Sequence, residues 1–507
     1  VHEASLEEGR ESRMKIHWAD VIAEGLRGKP QVISTGITPS GPIHIGNMRE
    51  ILTGDAIFRA LRDIGESVKF IYIADDFDPL RKRYPFLPES YEEYIGVPLS
   101  KIPDPEGCCE NYAEHFLTPF LDSMEELGVT PEVFRAHECY ERGLYLEAVK
   151  EALKRREEIA RILEEVSKRK LPSSWSPFHP LCPKCGRIST TSVVSFDAMR
   201  ETVEMRCECG EEATVSMKEG KLSWRVDWPA RWKIFGVTVE PFGKDHATAG
   251  GSYDTGVRIS KEIFGYEPPY PVVYEWIMLK GQGAMSSSKG VVIEISEMIK
   301  AIPEEVMRYM VMRVKPEKHI DFDPGLPILA LVDEFEDARK RNTREYQLSD
   351  IGKKYPNAPF KHIVTAVQIA KDLDGVMEVL RRGGYEEDRE AVQRIAEKAR
   401  YWLKRFAPHD VKFEIQKSLP ESVKNLSPEV KKALKILAER IKYGEWEAER
   451  IHREIYAVAE ELNIKAPKVF QAIYLSILNK KSGPRAGWFL MSLGREFVIK
   501  RLQEASS

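Results

Sequence analysis

Gly36-Ile37-Thr38-Pro39-Ser40-Gly41-Pro42-Ile43-His44-Ile45-Gly46-Asn47 joins a short apolar run, Gln31-Val32-Ile33-Ser34-Thr35, to a segment in which Met48, Ile51, Leu52, Ala60, Leu61 and Ile64 recur at helical spacing. The run predicts a buried strand, residues 36–41 a loop, and the periodic segment a helix over 47–64. A second strand, 67–74, follows and ends in Asp75-Asp76-Phe77-Asp78. Strand, loop, helix, strand is the opening βαβ unit of a doubly wound α/β sheet. A loop glycine in this place lets a nucleotide approach the backbone, and the helix N-terminus presents N–H groups to phosphate. Thr38, Pro39, Ser40, Gly41, Gly46 and Asn47 are therefore candidate nucleotide-binding positions. His44 is a candidate donor to charge developing on an α-phosphate.

Far downstream lies Lys280-Gly281-Gln282-Gly283-Ala284-Met285-Ser286-Ser287-Ser288-Lys289-Gly290. A Gly/Ser loop carrying lysine is suited to close on the β- and γ-phosphates and to hold pyrophosphate as it leaves. Met285, Ser286, Ser288 and Lys289 join the nucleotide-site candidates, with Lys289 catalytic. Strand-like runs at 237–240 and 270–276 predict the second half of a split sheet. Beyond about residue 330 nearly every segment is helical in period, for example 429–441, 447–462 and 469–478.

The 507 residues suggest several domains, and 42% hydrophobic with 31% charged residues describe a globular chain rather than a disordered one. A net charge of −4 gives no global basic signature, so any RNA contact must come from local patches. No apolar run reaches the ~20 residues needed to cross a bilayer, and a cytoplasmic location without membrane partners is expected. Four of the seven cysteines form two close pairs, which in such a chain points to metal rather than disulfides. Cys182 and Cys185 with Cys207 and Cys209, separated by a β-rich span, make a four-thiolate set suited to structural Zn2+. Asp104, Cys108, Cys109 and His115 form a second candidate cluster, for which the alternative is two buried thiols and a surface histidine.

Together the two loops resemble the HIGH and KMSKS signatures of class I aminoacyl-tRNA synthetases. The flanking segments 16–20, 224–232 (Trp-Arg-Val-Asp-Trp-Pro-Ala-Arg-Trp), 243–246 (Gly-Lys-Asp-His) and 480–485 (Lys-Lys-Ser-Gly-Pro-Arg) are similar to those of the lysyl type found mainly in archaea. The resemblance implies a Rossmann catalytic domain with a connective insertion and a C-terminal all-α domain that reads the anticodon. It also implies two steps: activation of L-lysine with ATP and Mg2+, then transfer to the terminal adenosine of lysine tRNA. Some members use the Asp104–His115 segment for metal. Ala284 stands where the pattern has its first lysine, and Ser287 occupies its fourth position. Lys289 then carries the phosphate contact, with Lys280 the next candidate. The expected division is a leader of no assigned role at 1–13, Rossmann halves at 14–98 and 226–330, a zinc-bearing insertion at 99–225, and a helical domain at 331–507.

A lysine pocket needs a carboxylate or an aromatic wall for the ammonium and an anchor for the α-amino group. Asp227, Trp228, Asp245, His246 and Tyr274, near predicted strand ends, are candidates, with Gly36 and Thr38 at the other lip. The alternative places Trp228 and Tyr274 in the core and pairs Asp227 with Arg225 or Arg231. A glutamyl enzyme of the same subclass would be expected to carry arginine at that position. A nucleotidyltransferase on the same fold has no use for the helical domain, and a non-catalytic RNA-binding paralogue would suit the altered loop. In the tail, Lys480, Lys481, Arg485, Arg495, Lys500 and Arg501, interleaved with Trp488, Phe489 and Phe497, read either as an RNA surface or as a solvated face over core aromatics.

Overall fold

The computed structural model describes residues 16–285 and 292–507. The chain divides into two compact units. The first holds the residues up to Met298, Met307–Phe322 and Asn342–Ser349; the second holds Ile299–Val306, Asp323–Arg341 and Asp350–Ser507.

In the first unit the strands β1 (Gln31–Ile37), β2 (Val68–Ala74), β3 (Glu132–Arg135), β9 (Val239–Gly243) and β10 (Tyr270–Tyr274) make one sheet in the order β10-β9-β1-β2-β3. Every pairing is parallel, with Gln31 opposite Val68 through Ile37 opposite Ala74. The doubly wound sheet expected from the sequence is present. Edge strand β3 has no counterpart in the sequence reading, because four partly exposed residues are too few to show a period of two.

The helix Ile45–Asp63 buries Met48, Ile51, Leu52, Ala56, Ala60 and Leu61. It comes close enough to the sheet that a Cβ on Gly54 would stand 2.9 Å from the Phe70 ring and 3.3 Å from Thr35 Cγ2. The chain leaves β1 toward β2 on one side, while β9 flanks it on the other. The crevice where the winding reverses opens at the strand ends Ile37, Ala74, Gly243 and Tyr274.

Between β3 and β9 lies a small β-rich module: β4 (Phe178–Pro180) pairs with β8 (Gly220–Leu222), and β5 (Thr191–Asp197), β6 (Thr202–Cys207) and β7 (Glu212–Ser216) form an antiparallel meander. From β8 the chain passes through Ser223 directly into the helix Trp224–Phe235.

The second unit is helical. Ser427 caps the helix Pro428–Tyr443 by accepting from Val430 N, and Pro428 takes the first turn, where its missing N–H costs nothing. This helix packs with Ala448–Glu461, Ala466–Leu478, Ala486–Leu493 and Arg495–Ser506 around Leu434, Leu437, Ile455, Ile473 and Phe489. Trp488 and Phe489 are buried, and Arg501 donates to the carbonyls of Ser476 and Gln416 at 2.8 Å. These three serve the core, whereas Lys481, Arg485 and Lys500 are exposed.

Candidate active site

A cleft of about 680 Å³ opens at the crevice. Its lining includes Gly36, Thr38, Ser40, His44, Gly46 and Asn47 from the first loop, Met285 from the second, and Asp245, His246 and Tyr274 from the far strands. Pro39 and Gly41 are buried behind it. Ser286, Ser288 and Lys289 lie outside the described residues.

The segment that follows the second loop is joined by main chain to the end of the first. Ile45 N donates to Ile293 O at 3.0 Å, and Ile295 N to Ile43 O at 3.5 Å, so the segment following the second loop pairs across His44 and Glu294. His44 starts the helix Ile45–Asp63, its own N–H donating to Asn47 Oδ1 at 3.3 Å. Its ring covers Gly46, where a Cβ would stand 2.8 Å from Nδ1; this glycine is therefore a packing requirement of the histidine. Burial pushes His44 down to about 4, which keeps the ring neutral at pH 7. Its Nδ1 is buried with no hydrogen-bond partner among the described residues, a polar atom awaiting one in a cleft of this size.

Glu50, in the second turn of the same helix, has no counterpart among the sequence candidates. It accepts from Gly36 N and from the Tyr274 hydroxyl, each at 2.9 Å, at the base of the cleft. Burial pushes it up to about 8 despite those two donors. Asp75, Asp78, Arg81, Tyr84, Trp224 and Trp276 also line the cleft. Asp78 Oδ2 accepts from Thr38 Oγ1 at 2.8 Å.

Asp227 and Trp228 are not on the lining; the sequence expectation is corrected here. Both are buried on the helix Trp224–Phe235, and Trp224, one turn earlier, faces the cleft and stacks on Trp228 with centroids 5.3 Å apart. Asp227 is held by Arg231 at 2.7 Å and by the Tyr140 hydroxyl at 2.5 Å, while Arg231 also grips Asp75 at 2.5 and 3.2 Å. The Trp228 indole donates to Glu240 at 2.8 Å. An ionised side chain on a covered face must be paired, and a helix carrying both Asp227 and Arg231 supplies the pair at i, i+4. The alternative pairing with Arg231 is the one realised.

Among the described residues two clusters offer metal ligands. The sulfurs of Cys182, Cys185, Cys207 and Cys209 all lie within 4.8 Å of one another, with Cys182 to Cys209 at 3.7 Å and Cys185 to Cys207 at 3.6 Å. Bonds of ~2.3 Å to a tetrahedral zinc set sulfurs roughly 3.8 Å apart, which these two separations match. Asp104, Cys108, Cys109 and His115 meet the same 4.8 Å limit, with Cys108 Sγ 3.2 Å and Asp104 Oδ1 3.0 Å from His115 Nδ1. No helix among the described residues is long and apolar enough to cross a membrane.

Residues 16–358 match the family described as tRNA synthetases class I (K), and residues 384–506 match an anticodon binding domain. The chain is 54% identical to a lysine–tRNA ligase of Archaeoglobus fulgidus over 97% of this chain and 100% of that one. It is 52% identical to one of Methanosarcina barkeri, covering 97% and 98%, and 43% identical to one of Methanocaldococcus jannaschii, covering 96% and 99%.

Proposed function

The chain belongs to the class I (K) tRNA synthetases, and on that premise we propose that the cleft at the crevice is where it joins lysine to ATP. It is a lysine–tRNA ligase: it activates lysine and then esterifies it to tRNA, and the helical unit supplies an anticodon-binding domain. The observation that supports the site assignment is the main-chain junction of Ile45 with Ile293, which brings the segment after the second loop to the start of the helix at His44, whose Nδ1 has no partner among the described residues.

In the first step a lysine carboxylate oxygen attacks the α-phosphorus of ATP, and pyrophosphate leaves with the bonding electron pair. In the second, a ribose hydroxyl of the tRNA terminal adenosine attacks the adenylate carbonyl and AMP leaves. The protein's work is alignment and charge stabilisation. His44, neutral, donates an N–H to the α-phosphate without competing as a nucleophile. Lys289 neutralises the departing pyrophosphate, with Met285, Ser286 and Ser288 shaping that loop. Mg2+ accompanies ATP as its counter-ion.

Lysine presents two ammonium groups, and the cleft has two carboxylate edges. Asp75 and Asp78, the latter bound to Thr38, take the α-ammonium. Glu50, bound to Tyr274, takes the ε-ammonium at the base. Trp224 and Trp276 flank the aliphatic stem, and Asp245 and His246 stand at the rim. Structural zinc in the four-thiolate set, and a second ion at Asp104, Cys108, Cys109 and His115, are supported by ligand spacing.

The test is pyrophosphate exchange with ATP, tRNA and each amino acid in turn. Exchange dependent on lysine is expected. Exchange with glutamate in its place, or none with either, overturns the reading.

A further inference from the structure

Lys221 lies on β8 of the cysteine-bearing module and is 3% exposed. His179 is its partner across the β4 pairing, and Leu181 N donates to Glu219 O at 2.8 Å immediately before Cys182, so the strand is clamped beside the thiolate set. Its side chain leaves the module. The ammonium binds Asp78 Oδ1 and lies 3.8 Å from Asp75 Oδ1, both residues of the cleft lining. The other oxygen of Asp78 accepts from Thr38. Arg231 holds Asp75 and Asp227 from behind. Burial works against the Lys221 charge, but Asp78, Asp227 and Asp75 outweigh it and raise the group above its ordinary value.

The cluster thus contains three carboxylates, Asp75, Asp78 and Asp227, against two cations, Lys221 and Arg231. One negative charge is left over, and Asp75 and Asp78 present it to the cleft. One ammonium group balances it. Without Lys221 the cluster would hold a second uncompensated charge in a covered site, and Asp78 would relieve it by rotating away from Thr38.

We propose that Lys221 is a positioning residue for amino-acid recognition: it fixes the Asp78 carboxylate against Thr38 and trims the cluster to the single negative charge that one ammonium neutralises. The cysteine-bearing module is then a working part of the amino-acid subsite, since it supplies a side chain that acts there through Asp78. This rests on the reading of the cleft as a lysine site.

The experiment measures pyrophosphate exchange in the full-length protein with tRNA present, separating the KM for lysine, the KM for ATP and kcat. Lysine-dependent exchange by the unmodified protein tests the underlying reading; its absence overturns that reading separately. Given such exchange, Lys221→Met is expected to raise the lysine KM roughly tenfold or more while the ATP KM stays within about twofold. Lys221→Arg, which keeps the charge, is expected to recover most of the loss. A lysine KM unchanged in Lys221→Met, or lysine and ATP KM rising together, overturns the proposal. Should Lys221→Met fail to fold, Lys221→Met is combined with Asp78→Asn, a charge-balanced pair that removes both partners. Because Lys221 acts through Asp78, the double variant should match the lysine KM of Asp78→Asn alone, and a further rise of about tenfold overturns the proposal.

Discussion

The Tyr274 hydroxyl donates to Glu50 Oε2 at 2.9 Å, joining the end of β10 to the helix that begins at His44. The bond leaves the Glu50 carboxyl at the cleft with donors on both oxygens and no cation among the described residues.

With Glu50 raised to about 8, the empty cleft holds it protonated at pH 7, and an incoming ammonium ionises it. The sign follows: lysine affinity rises as pH increases toward about 8 and levels off above it. Isothermal titration in buffers of different ionisation enthalpy is expected to show about one proton released per lysine at pH 7. Glu50→Gln should abolish the release and weaken lysine binding by about a hundredfold, the loss of a desolvated charge-assisted bond.

His44→Ala is expected to lower the rate of adenylate formation by about a hundredfold, or ~3 kcal/mol of transition-state stabilisation. Because His44 is depressed to about 4, the rate at saturating lysine should carry no inflection near pH 6.5 that disappears in the variant. Lys289→Ala should cost a comparable factor, and a silent Lys289→Ala would move that role to Lys280.

Trp224 and Trp228 separate recognition from stability. Trp224→Ala is expected to raise the lysine KM with little change in melting temperature, since its ring borders the cleft. Trp228→Ala empties a buried site and orphans one Glu240 oxygen, and should cost about 3–5 kcal/mol in denaturant unfolding. Equal effects of the two variants on stability would contradict this division.

Elemental analysis after mild chelation is expected to find two zinc per chain, falling to one in Cys108→Ala/Cys109→Ala. A value of one in both proteins would leave only the four-thiolate set. Stronger chelation should lower the melting temperature, because that small module has little core of its own.

The βαβ opening was legible because a short apolar run at Gln31–Thr35 and a 3.6-residue period over Ile45–Asp63 flank a Gly/Pro loop. The cleft was legible only in part. Glu50 reads in sequence as one more polar residue of a helix; what marks it is Tyr274, brought to it by the parallel sheet from the other end of the catalytic half. Asp227 and Trp228 were placed at a strand end, but they ride a helix, on which Trp224 and Trp228 sit four apart and a periodicity alone does not say which of two adjacent turns meets the opening. Arg501 carries the sequence mark of an RNA contact, yet spends its donors on carbonyls of its own unit.

The close seating of Gly54 on Phe70 and Thr35 makes that position a pivot. At ~1.5 Å of rise per residue, His44 stands roughly 15 Å up the helix axis from it, a lever long enough for a tilt of about three degrees to swing the imidazole by nearly an ångström. A displacement of that size is enough to cost about a hundredfold in a reaction that depends on alignment. A methyl group at Gly54, touching neither substrate nor loop, therefore acts on the chemistry by mis-aiming it, and a search for inactivating changes confined to the cleft lining would miss it.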